Sequence, residues 1–165
     1  MKRTTQNIKD LNELLTQNNL PIQFSKKDHA ELLHDDSQKN HKQIIFINKQ
    51  PSFFYYTLPA TTTQLLLPTL KLLQTHPHLL KTITIDMNAI KFIINGADIM
   101  RPGITNIDND IQPLQPICII DQTHKKPLAI GISLHSTEQL RTLTTGKVIK
   151  NIHFVGDELW KMEIK

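Results

Sequence analysis

The chain has 165 residues, 39% hydrophobic and only 5% aromatic, with a net charge of +4. That length holds one domain or two small ones, with a core built mainly from isoleucine and leucine. A single cysteine, Cys118, excludes an intrachain disulfide scaffold, and no apolar run approaches the roughly 20 residues that span a bilayer, so a cytoplasmic location is expected.

Met1 to Asp10 lacks the apolar stretch of a secretory leader. Ile8, Leu11, Leu14 and Leu15 fall at helical spacing, and Asn18–Asn19 followed by Pro21 predict where that helix stops. Ser25 predicts the cap of a second helix over Asp28–His34. His34 to His41 reads as a polar loop. Gln43–Lys49 and Ser52–Tyr56 read as strands around a turn at Gln50–Pro51. The second strand carries Phe53, Phe54, Tyr55 and Tyr56. Alternation sends two of these side chains to each face, either to pack or to anchor a partner, and packing is the expectation. Leu58–Thr63 then leads to a predicted helix over Leu65–Leu73, with Pro68 near its start and His76–Pro77 closing it.

All five glycines, Gly96, Gly103, Gly131, Gly146 and Gly156, lie beyond residue 95, so the two halves are built differently. Thr82–Ile85 reads as a strand. Asp86 is placed to cap a short buried helix over Ala89–Ile94, and Gly96 to end it in the left-handed conformation. Asp98–Met100 reads as a strand and Arg101–Pro102–Gly103 as a turn. Pro116–Asp121 and Pro127–Leu134 are strands joined by a loop at Thr123–Lys126. Ser136 caps a helix through Leu143, and Val148–Phe154 with Glu158–Ile164 form a last hairpin around Gly156–Asp157. Short strands separated by turn signals predict a small barrel rather than an open sheet.

Two stretches carry a family resemblance. In the first, Asp86 precedes a small residue and an apolar helix, then come Gly96–Ala97, an apolar strand and Pro102–Gly103. This resembles the opening of a PUA domain. In the second, Gly146 to Lys161, with Trp160 near its end, resembles the final hairpin of the same domain. Together with Pro68–Leu73 and Thr75–Leu80, they make the chain similar to the malignant T-cell-amplified sequence proteins and their yeast and archaeal relatives. The likeness is close from about Leu65 onward and looser, though collinear, before it.

That resemblance implies an α+β chain, with a small N-terminal α/β domain over residues 1–81 packed on a C-terminal PUA pseudo-β-barrel over residues 82–165. It implies a monomer that binds the RNA of the small ribosomal subunit, with tRNA as a second candidate. It also implies a partner with a SUI1-type domain, density-regulated protein. The implied work is non-standard initiation, reinitiation or post-termination tRNA release. PUA domains hold RNA with the glycine loop between helix and strand and with the last strand, which singles out Gly96, Ala97, Arg101, Pro102 and Gly103. The residues agree with such a role. Glycine lets a base or a backbone approach the main chain, where N–H groups face phosphates, and Arg101 has the fork geometry that grips a phosphate. Lys91 on the helix, and Lys147 and Lys150 on the late strand, are expected to flank the same groove. One departure stands out: where many PUA domains carry a Gly-Asp turn, Asp110 to Pro116 contains no glycine.

Each of these residues also has a plainer explanation. Gly96 and Gly103 suit a helix cap and a tight turn, Arg101 a solvated charge, and Trp160 packing rather than base stacking. The histidines, including His76, His78, His29 and His34, show no metal-ligand spacing, and Cys118 reads as a buried inert thiol. No cofactor fingerprint or catalytic constellation is present, so a small enzyme is the least supported reading. A free-standing PUA module that serves an RNA-modification enzyme is the main alternative to a translation factor. Charge does not decide between them: residues 1–82 hold ten Lys/Arg against six Asp/Glu, and residues 83–165 nine of each.

Overall fold

The computed structural model describes residues 1–38, 41 and 43–163. The chain divides into two compact units, Met1–Leu72 with Met162–Lys165, and Leu73–Lys161. No helix among the described residues is long and apolar enough to cross a membrane.

The first unit is an antiparallel meander with one long helix. Its strands are β1 (Lys2–Gln6), β2 (Ala30–His34), β3 (Gln43–Ile47), β4 (Gln50–Thr57) and β5 (Gln64–Pro68), paired in that order. Helix α1 (Ile8–Gln17) lies between β1 and β2 in the chain, starts at the side chain of Asn7, which accepts the Asp10 N–H, and buries Leu11 and Leu15. The short helix α2 (Leu70–Thr75) follows β5.

Two predicted helices of this half are corrected. Residues 28–34 do not form a helix. Ser25 and Asp28 close a local turn, with the Ser25 N–H donating to the Asp28 carboxylate and the Asp28 N–H to the Ser25 carbonyl. The chain then extends as β2, which pairs with β1 on one side and β3 on the other. Two ladders satisfy more backbone groups than one short helix would. The leucine run at 65–67 belongs to β5, opposite Phe54 to Tyr56, and Pro68 ends that edge strand, a position where its missing N–H is tolerated. Thr69, whose Oγ accepts the Leu72 N–H, then starts α2. The β3–β4 turn falls at Asn48–Lys49 rather than Gln50–Pro51. Both residues take positive φ, 49° and 68°, as a two-residue hairpin turn requires. Phe53 and Phe54, on opposite faces of β4, are both fully buried, while Tyr55 and Tyr56 are half-buried. Of the polar loop expected at His34 to His41, residues 39 and 40 lie outside the described residues.

The second unit is a mixed six-stranded sheet. Its strands are β6 (Thr82–Ile85), β7 (Ile99–Met100), β8 (Ile104–Ile107), β9 (Pro116–Asp121), β10 (Pro127–Ser133) and β11 (Lys147–Phe154), in the order β7-β11-β10-β9-β6-β8. Only β6 and β9 pair in parallel. Strands β7 and β8 form the two edges yet are separated in the chain by Arg101–Gly103 alone. Three residues cannot cross a flat six-stranded sheet, since strands stand about 4.8 Å apart, so the sheet curls into the half-barrel that the sequence predicts. Its core is largely isoleucine, including Ile83, Ile85, Ile99, Ile117, Ile119 and Ile149. Helix α3 (Ile90–Ile93) follows a 3-10 turn at Met87–Ala89, and α4 (Thr137–Thr142) starts with a reciprocal capping box between Ser136 and Gln139.

The sequence-predicted strand at Glu158–Ile164 is not formed. Residues 158–161 make a turn around Asp157, whose carboxylate accepts the Trp160 N–H at 2.8 Å, and Ile164 lies outside the described residues. The segment that departs from the family pattern, Asp110 to Pro116, makes its turn without glycine: Asp110 and Leu114 adopt φ of 63° and 66°, and the Ile111 N–H donates to the buried Thr137 hydroxyl. Cys118 is buried, which pushes its thiol up to about 12.

Two consequences are testable. Gly131 sits where β10 slips in register against β11, and a Cβ there would collide with Ile149 and lie 2.9 Å from the Lys150 carbonyl oxygen. Gly131→Ala is expected to cost about 1–3 kcal/mol in chemical unfolding by overpacking. Asp157 also accepts bonds from His153 Nδ1 at 2.8 Å and the Phe154 N–H at 3.0 Å. Burial alone would raise the Asp157 carboxyl, but the His153 bond and charge and the two N–H groups together hold it below its ordinary 3.8. A carboxyl depressed in the fold stabilises above pH 3.8, and that stability is lost as pH falls through the folded value. Asp157→Asn is expected to lower unfolding free energy by roughly 2 kcal/mol at pH 7, with the gap from wild type shrinking in urea titrations below pH 3.8.

Candidate functional site

Asp86 starts the site by capping the 3-10 turn, its carboxylate accepting the N–H groups of Asn88 and Ala89. Helix α3 ends after one turn because Gly96 takes φ of 92°. The Gly96 N–H donates to the Ile93 carbonyl and the Ala97 N–H to the Phe92 carbonyl, both at 3.0 Å, which is the paired closure of a Schellman cap. A Cβ on Gly96 would also press on the Phe154 ring at 3.2 Å. Gly103 is needed for a different reason, close approach: its φ is ordinary, but a Cβ would lie 3.3 Å from that of Ala89, and its carbonyl accepts the Asp86 N–H.

The loop is fastened to β11 by Asn151. Its side-chain amide donates to the carbonyls of Ile93 and Ala97, each at 3.0 Å, and its backbone N–H donates to Asp98 Oδ1 at 2.9 Å. The other Asp98 oxygen meets Lys147 Nζ at 3.5 Å. Asn151 and Asp98 thus hold the position of Gly96–Ala97. Sequence reasoning missed both, because their roles appear only when β11 lies beside the loop.

The predicted residues separate into groups. Gly96, Ala97, Arg101, Pro102, Gly103 and Lys147 come together around β7, where Lys147 pairs with Met100 and the Arg101 N–H donates to the Gly146 carbonyl at 2.8 Å. The Arg101 side chain is not simply solvated. Its Nε donates to the Leu140 carbonyl at 2.7 Å and its Nη1 to the Ile104 carbonyl at 3.3 Å. Pro102 is exposed in the turn. Lys150 stands further along β11, opposite Ile132, half-buried and with no hydrogen bond to the loop. Lys91 is exposed on α3, with its ammonium 5.1 Å from the centre of the Phe92 ring.

The helix expected to be buried is mostly not. Only Ile93 of α3 is buried, and Phe92 is 58% exposed. Met87, Ile94 and Met100 are also exposed large apolar residues, all within the segment that flanks the glycine loop. Four such side chains in one short segment are an unusual feature for surface that only meets water. A flat aromatic ring with a lysine ammonium beside it suits a π-faced ligand carrying negative charge, the chemistry of a nucleotide.

The chain is similar to several known proteins. The PUA domain family model matches residues 81–155. An uncharacterised protein of Methanocaldococcus jannaschii is 37% identical over 121 residues, 73% of this chain and 71% of that protein. Translation machinery-associated protein 20 of Schizosaccharomyces pombe is 30% identical over 129 residues, 72% of this chain and 71% of that protein. Malignant T-cell-amplified sequence 1 of Rattus norvegicus is 34% identical over 99 residues, which span 58% of this chain and 54% of that protein. Among solved structures, a hypothetical protein of Pyrococcus horikoshii is similar at a TM-score of 0.76 and 26% identity, covering 97% of this chain and 98% of that one. A PUA domain of Aeropyrum pernix gives a TM-score of 0.78 at 22% identity over 97% of this chain and 89% of that one.

Proposed function

Since the chain belongs to the family of translation machinery-associated protein 20 and malignant T-cell-amplified sequence 1, we propose that it is a non-enzymatic, cytoplasmic RNA-binding translation factor of the small ribosomal subunit. The PUA match and the names of these relatives together support a translation-associated, RNA-binding role. On this reading residues 82–165 are the RNA-binding domain, and residues 1–81 serve a protein partner with a SUI1-type domain. The work is non-standard initiation, reinitiation or tRNA release after termination.

The observation that carries the RNA face is the exposed Phe92 ring with the Lys91 ammonium beside it, next to a glycine loop held rigid by Asn151. A rigid loop presents its main chain without an ordering cost, and an exposed ring offers stacking to any base. Lys91, Gly96, Ala97, Arg101, Pro102, Gly103, Lys147 and Lys150 remain the proposed RNA-contacting set, and Phe92 joins it. Lys147 contributes less charge than the sequence suggests, because Asp98 already faces it.

Co-sedimentation with purified small ribosomal subunits tests the proposal. The wild type is expected to bind, and Phe92→Ala to bind about tenfold more weakly with its unfolding midpoint unchanged, since a stacked base is worth roughly 1–3 kcal/mol. Adding a SUI1-domain partner should tighten binding by the wild type. A wild type that stays in the supernatant with and without that partner, yet binds isolated tRNA, would replace this reading with that of a PUA module for RNA modification.

A further inference from the structure

Arg101 and Arg141 line one small cavity of about 210 Å³, together with Ile104, Thr105, Asn106 and Ile107. No acidic residue lines it. Among the described residues, neither arginine takes part in an ion pair. Asp108, just past the end of β8, accepts the Thr82 N–H at 2.7 Å and its hydroxyl at 3.1 Å.

Both guanidinium groups are held in place by neutral oxygens. Arg101 donates to the carbonyls of Leu140 and Ile104. Arg141, in the last turn of α4, donates through Nη2 to the Asn109 side-chain oxygen at 2.6 Å and to the Ile107 carbonyl at 3.3 Å. A guanidinium carries five N–H donors. Two bonds on each arginine leave three donors each, and the carbonyls fix the positive charges without neutralising them. Two anchored like charges at one cavity repel, and an oxyanion between them reverses that repulsion while taking up the unused donors. The planar fork fits phosphate better than a point charge would. Thr105 and Asn106, both exposed, complete the lining of the cavity.

We propose that this cavity seats a phosphate of bound RNA, which adds Arg141 and a second contact point to the RNA face. The inference rests on the RNA-binding reading above. RNA is favoured over a phosphopeptide by continuity with that face: Arg101 follows directly on Met100, which pairs with Lys147 beside the glycine loop. The predicted occupant is a backbone phosphate, read by charge and fork geometry and without base selectivity.

The test uses the full chain and Arg141→Gln, which keeps a polar side chain at this exposed position of α4 but carries no charge and no fork. Inorganic phosphate is titrated against chloride of matched ionic strength while the amide resonances of Thr105 and Asn106 are followed. Binding to small ribosomal subunits is then measured over a salt series. The wild type should show saturable phosphate-specific shifts that the variant loses. The variant should keep the wild-type unfolding midpoint, and its log–log salt dependence should be shallower by roughly 0.7–0.9, the range for one lost phosphate contact on single-stranded and duplex nucleic acid. Equal response to chloride, or a wild-type salt slope in the variant, would overturn the proposal. Phosphate-specific shifts in a protein that binds a phosphopeptide but no RNA would overturn its RNA part and the ribosomal reading together. Subunit binding with an unchanged salt slope would sink the cavity alone.

Discussion

Arg101, Pro102 and Gly103 tether two strands that stand at opposite edges of a six-stranded sheet. That tether decides the shape of the second unit. With only three residues to bridge the edges, the sheet has to curl, and the isoleucine-rich interior follows from filling a narrow barrel with branched side chains. The turn is then held from both sides. The Arg101 N–H bonds the loop before β11, its guanidinium caps the end of α4, and Gly103 packs on Ala89 of the 3-10 turn. One arginine thus joins α4 to both edge strands, which explains why it is half-buried although it lies in a turn.

The candidate face grows out of the same closure. Because β7 lies against β11, the glycine loop just before β7 comes within reach of Asn151, and one side-chain amide can hold two loop carbonyls. Gly96 contributes a conformation that other residues adopt only under strain, together with room for the Phe154 ring. The structural explanation of Gly96 and its proposed role in ligand approach do not compete. The cap uses the Gly96 and Ala97 N–H groups on the Ile93 and Phe92 carbonyls, and by fixing the loop it sets the place of the exposed Phe92 ring beside it, so the structural role prepares the functional one.

Much of the second unit was legible in the sequence because its signals are local. Asp86, Gly96 and Ser136 act on groups within a few residues, and caps of this kind are written in short motifs. The first unit was less legible. Residues 30–34 and 64–68 are short and leucine-bearing, and a five-residue run cannot distinguish a helix from a strand without its neighbours. Their ladder partners, not their own propensities, make them strands. The last predicted strand failed for the opposite reason: a local turn around Asp157 replaced an expected pairing. At the site, the glycine loop came through its resemblance to a known domain. Asn151 and Arg141 did not, because the partners of Asn151 lie 54 and 58 residues away and those of Arg141 32 and 34 residues away.

Charge placement separates this face from a simple basic patch. Residues 83–165 carry nine basic and nine acidic side chains, so this half of the chain has no net positive charge. Of the basic groups discussed, Lys147 faces Asp98 and Lys91 lies beside a ring, while Arg101 and Arg141 are anchored to neutral oxygens. On the proposed reading, such a surface gains little from long-range attraction, which salt screens within about 8 Å under physiological conditions. It gains more from contacts made at close range: a ring for stacking and two fixed forks. On that reading, a surface of this kind would recognise a defined RNA shape better than it collects RNA in general. That property suits a factor that must engage one place on a ribosomal subunit while surrounded by other RNA.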